Sequence, residues 1–99
     1  MNEGLSVGVA AGAQRLELVL LGARPRLCRA SFPSNAMGWA AVRGFLAGYR
    51  QPVRIAVAGA AALGFALAVG NAQERRVLIV APALAKSALK LAVHARNNL

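Results

Sequence analysis

From Ile55 to Gly70 the chain reads IAVAGAAALGFALAVG, sixteen residues without a charge or a strongly polar group. No other stretch restricts the fold as much. As a helix rising 1.5 Å per residue it is about 24 Å long. With Val53 before it and Asn71–Ala72 after it, the length approaches the roughly 20 residues that cross a bilayer. Arg54 can snorkel to one interface, and Glu74, Arg75 and Arg76 mark the other. The run predicts a transmembrane helix over about 53–72. Seven of its sixteen residues are alanine, which makes that helix a weakly hydrophobic one. Ala56, Ala60, Gly64 and Ala68 recur every fourth residue, the small-residue row along which membrane helices approach closely. The alternative is a helix buried inside a protein assembly.

The residues on either side read as interfacial helices. Over residues 36–51, AMGWAAVRGFLAGYRQ follows Ser34 and Asn35, both good N-cap types. Helical spacing gathers Trp39, Val42, Phe45, Leu46 and Tyr49 on one broad face. Gly44 and Gly48 stand one turn apart on a smooth, small face. Trp39, Tyr49, Arg43 and Arg50 are residue types that concentrate at a membrane interface. Further on, VLIV at 77–80 leads to Pro82, and residues 83–96 have amphipathic spacing. Lys86 and Lys90 lie four apart there, with His94 continuing the line. That pattern predicts an interfacial helix with its cations among headgroups. A second span over 77–93 would bury both lysines.

The first 35 residues look least structured. Leu16–Leu21 is a short apolar run containing Glu17. The stretch from Gly22 to Asn35 holds Arg24, Arg26 and Arg29 with Pro25 and Pro33, which disfavour a continuous helix. Arg-rich, Ser-containing composition resembles an organellar targeting segment, although Glu3 and Glu17 fit poorly there. An ordinary basic extension is the other reading.

Charge and chemistry narrow the function classes. Twelve Lys and Arg against three acids give a formal net charge of +9, and no Asp is present. Such a chain seeks nucleic acid, anionic lipid or acidic protein surfaces. The bases flank apolar segments, which suits membrane flanks, but Arg24–Arg29 could also touch phosphates. One cysteine, Cys28, excludes an internal disulfide and a cysteine-based metal site. His94 is the only histidine, and the three Glu are far apart, so no metal ligand set or paired carboxylates arise. The glycines form no Walker pattern. No catalytic residue, cofactor or metal is expected.

These readings converge on an all-α chain. One transmembrane helix is flanked by interfacial helices (residues 36–99) and preceded by an extended basic arm (residues 1–35). Gly44, Gly48, Ala56, Ala60, Gly64 and Ala68 are the expected helix-packing positions. Trp39, Arg43, Tyr49, Arg50, Arg54, Arg75, Arg76, Lys86 and Lys90 are the expected headgroup contacts. The function that follows is a non-catalytic accessory subunit of a multi-subunit membrane complex. Its expected partners are larger membrane subunits and anionic lipid, with no small-molecule substrate. The respiratory chain of the mitochondrial inner membrane is the first location it suggests. Two alternatives stand beside it: a basic protein–RNA or protein–protein interaction component of a ribonucleoprotein particle, and an independent small bacterial membrane protein.

Overall fold

The computed structural model describes residues 4–22, 27–48, 52–70, 75–80 and 87–98, leaving out the side chains of Leu27, Arg75 and Asn98. The chain folds as a mixed α/β domain, not as an all-α one. In chain order the elements are β1 (Leu5–Ala11), β2 (Arg15–Leu21), β3 (Leu27–Pro33), α1 (Ala36–Ala47), β4 (Val53–Ala58), α2 (Ala62–Val69), β5 (Arg75–Ile79) and α3 (Ala88–Asn98). The strands form one sheet in the order β3-β2-β1-β4-β5. The first three make an antiparallel meander, with Val9 opposite Leu18 and Leu18 opposite Ala30. β4 and β5 then run parallel to β1, with Val7 beside Ile55 and Ile55 beside Val77. Helices α1 and α2 cover one face of the sheet and α3 covers the other.

The apolar run that reads as one membrane helix is two elements of different kinds. Its first part is β4, and all six of its residues, VRIAVA, are buried. A central parallel strand is covered on both faces, so its sequence is a continuous apolar run without alternation. Val53, Ile55 and Val57 face α1 and α2, while Ala56 and Ala58 lie under α3. Gly59 ends the strand with φ +120°, a conformation that only glycine adopts without strain. A Cβ there would also lie against the Ala11 carbonyl group, 2.9 Å from its carbon. After this turn α2 has only eight residues. No helix among the described residues is long and apolar enough to cross a membrane. The transmembrane reading is thereby corrected, and the assignment to an inner-membrane respiratory complex loses its basis. Likewise, the stretch 77–93 is not a second span: it contains the end of β5 and the start of α3.

The segment read as an extended arm supplies β1, β2 and β3. Strict alternation sets their faces. Leu5, Val7, Val9 and Ala11 of β1 join Leu16, Leu18 and Leu20 of β2 in the core beneath α1 and α2. Val42, Leu46, Phe65 and Val69 of the two helices complete that core. On the other face Val19 and Leu21 pack with Ala88 and Ala92 of α3.

Helix α1 begins where the Ser34–Asn35 pair suggests. The Asn35 side chain accepts a hydrogen bond from the Gly38 amide at 2.9 Å, satisfying one of the helix's orphan donors. Asn35→Ala is expected to destabilise the domain by about 1 kcal/mol, measured as a lower urea midpoint with an unchanged slope. An unshifted midpoint would show that this cap contributes nothing. Helix α3 presents Ala88, Leu91, Ala92 and Ala95 to the sheet. Mostly small, these residues let its backbone come down directly onto Gly8 of β1.

Candidate functional site

In open sheets with parallel strands, ligands usually sit outside the carboxyl ends of strands whose connections leave in opposite directions. Here that place lies between β1, which turns back to β2, and β4, which leads to α2. Its residues are Ala10, Ala11, Gly12, Ala13, Ala58, Gly59, Ala60 and Ala61. The Ala61 amide donates to the Ala11 carbonyl at 3.0 Å and draws the two ends together. These eight residues bring no carboxylate, imidazole, thiol or hydroxyl to that edge. Among the described residues no group of three or more His, Cys, Asp or Glu could hold a metal ion. Cys28, exposed on β3, alternates with Arg29 and shares the α1/α2 side with Ala30 and Phe32. His94 is on α3, across the sheet, so the two cannot form a pair.

The sheet instead divides the described cations unevenly between its two sides. Seven Lys and Arg side chains are described, and six of them lie on the α3 side. Arg15 and Glu17 alternate with the core residues Leu16 and Leu18 and so share a face with Val19 and Leu21. Arg29 follows on the neighbouring strand beside Val19. Arg54 and Arg76 are register partners on β4 and β5, on the same side as Ala56 and Leu78. Lys90 and Arg96 project from α3 itself and are exposed. Only Arg43, on α1, belongs to the opposite face.

Local bonds hold several of these groups in place. Arg15 donates to the Ser31 hydroxyl from Nε at 3.0 Å and from Nη2 at 2.7 Å. Ser31 in turn donates to Glu17 Oε2 at 3.0 Å. That chain ties the only described acid into a network with a cation. Arg96 reaches across to the Gly22 carbonyl at 3.3 Å, fastening the end of α3 to β2. Arg54 is buried at 8% exposure, with its guanidinium beside Gly4. Its neighbour Arg76 is exposed.

The expected site residues scatter over this architecture. Ala56 is buried in β4, Ala60 lies in the turn, and Gly64 and Ala68 are on α2, so the four do not share one helix. Gly64 faces the Trp39 ring, which would sit 3.0 Å from an added Cβ. Trp39 is half-buried, and its indole Nε1 finds no hydrogen-bond partner. Gly44 and Gly48 are exposed on α1. Arg43 donates to the Ala68 carbonyl at 3.1 Å, placing its charge at the C-terminal end of α2, the end that favours a cation. Tyr49, Arg50, Lys86 and the Arg75 side chain lie outside the described residues.

Arg15 and Arg96 escaped the sequence reading. The period-two pattern of RLELVLL held the signal for Arg15, because it sets Arg15 and Glu17 on one side of a strand. The chain matches no family model, and none of the curated proteins matches it.

Proposed function

We propose that this domain is a non-catalytic binding module whose α3 side docks on the phosphate backbone of a nucleic acid, as a component of a ribonucleoprotein particle would. The single observation that carries this reading is the segregation of the exposed cations Arg15, Arg29, Arg76, Lys90 and Arg96 to one side of the sheet, the side on which the buried Arg54 also lies. Cations gathered on one face neutralise several phosphates at once and release their counterions.

The aromatics sharpen the proposal. Phe32, Trp39 and Phe65 pack into the core on the α1/α2 side, and the Phe45 ring lies 5.9 Å from Phe32 on that same side. Single-stranded nucleic acid is typically gripped by bases stacking on aromatic rings. Among the described residues the basic face carries no such ring, which suits a duplex held by its backbone, with little sequence preference.

Fluorescence anisotropy with a labelled duplex, read across a salt series, tests the reading. Affinity should fall linearly on a logarithmic salt axis. Each of Arg29→Ala, Arg76→Ala and Lys90→Ala should reduce that slope by about one. Arg43→Ala, on the other face, should leave it unchanged. Equal losses from Arg43→Ala and Lys90→Ala would sink the reading, as would binding confined to anionic vesicles.

A further inference from the structure

The layer opposite the cations has a shape of its own. Helices α1 and α2 lie side by side and run the same way, with Trp39 against Gly64 and Arg43 against Ala68. On the outer surface of α2, Leu63 and Leu67 are 64% and 68% exposed. They form a ridge, with Gly64 and Ala68 turned toward α1. The outer surface of α1 carries Ala36, Ala40, Gly44 and Ala47, all exposed. That strip is flat: a Cβ added at Gly44 would meet nothing within 4 Å. Beyond the strip stands Met37, 80% exposed. Neither helix contains an acid, and Arg43 is their only base.

We propose that this face is a self-complementary interface through which two copies of the chain pair about a twofold axis. The Leu63–Leu67 ridge of each copy rests on the Ala40–Gly44 strip of the other. In such a pairing the same patch serves both partners, so a ridge and a flat strip of matching length on one surface satisfy it. Charge selects the occupant. An acidic or basic partner protein finds almost nothing here to pair with. A second copy, itself strongly cationic, can approach this face without bringing two basic faces together. Size agrees as well. Met37, Leu63 and Leu67 together expose roughly 400 Å², within the range of the largest apolar patches on monomers. The alanine–glycine strip brings the face toward the roughly 800 Å² per partner of a standard interface. The pairing would leave both α3 faces turned outward, and it does not depend on what those faces bind.

Sedimentation equilibrium over a concentration series, on the full chain, tests the proposal. Wild type should show a monomer–dimer equilibrium that tightens as salt rises, because screening reduces repulsion between two cationic copies. Nucleic-acid binding must weaken over the same range, so either reading can fail without the other. Gly44→Glu and Leu67→Glu should each raise the dissociation constant more than tenfold. Gly44→Glu also replaces a poor helix former with a good one, and circular dichroism will show that α1 is retained. Leu89→Glu, at a half-exposed position on α3, should change the constant less than twofold. A wild type that stays monomeric at every concentration and salt overturns the proposal. So does a dimer that survives both α1/α2 substitutions.

Discussion

Gly8→Val is expected to abolish cooperative folding. Gly8 sits in the middle of β1, with α3 lying directly on it. A Cβ there would run into the Ala88 carbonyl oxygen and the Ala92 amide, and would come 2.8 Å from the Leu91 carbonyl carbon. All three are backbone atoms, which cannot rotate away as a side chain can. Overpacking a core usually costs about 1–3 kcal/mol, relieved by small shifts. Here the relief requires α3 to lift off the sheet and expose Leu91, Ala92 and Ala95, each at most 1% accessible in the fold. A domain of this size holds only about 5–15 kcal/mol in total. The far-ultraviolet signal of Gly8→Val in urea should therefore drift without a sigmoidal step, whereas wild type should show one. A variant with the wild-type midpoint would mean that α3 does not dock on Gly8.

Phe65→Ala should follow in severity. Among the described residues Phe65 is the largest fully buried side chain, at 0% exposure, and it packs between α2 and the sheet. Truncating such a ring costs about 3–5 kcal/mol, combining the lost transfer energy with the cavity left behind. Leu63→Ala, two residues earlier and exposed, should shift stability of the monomer by no more than about 0.5 kcal/mol. Urea midpoints measured at a concentration where the monomer predominates separate the two. Similar losses from both substitutions would contradict the burial pattern of α2.

The parts of the fold that were legible in the sequence are two of its helices. The helix expected over 36–51 is α1, Ala36–Ala47, and its start at Asn35 follows from capping chemistry that acts within four residues. The helix expected over 83–96 contains most of α3, Ala88–Asn98. What misled was burial on both faces. β1 and β4 lie at the centre of the sheet, so their residues carry no polar alternation to reveal a strand. In β4 the apolar run then merged with α2 into a stretch long enough to imitate a membrane span. Two local signals argued for dividing it. Val53, Ile55 and Val57 are β-branched, which favours strand, and Gly59 follows them at the point where a strand must turn. The basic face was hidden for a different reason. Its cations come from β2, β3, β4, β5 and α3, and only the order of the strands brings them to one side. Arg43 and Arg54 are eleven residues apart, yet they end on opposite faces.

The seating of α3 on β1 also bears on how the chain reaches its fold. Arg96 bonds to Gly22 across 74 positions, and Gly8 meets Ala92 over a still longer span. The β1–β2–β3 meander pairs through neighbouring segments and can form early. By contrast, the parallel pairings and the α3 contact need distant segments, whose loops must close before any contact rewards them. During synthesis Val19 and Leu21 would face water until α3 has left the ribosome. Over that interval an apolar sheet face is open to wrong partners. The cations bordering it on β2 and β3, Arg15 and Arg29, would keep nascent chains apart through that delay.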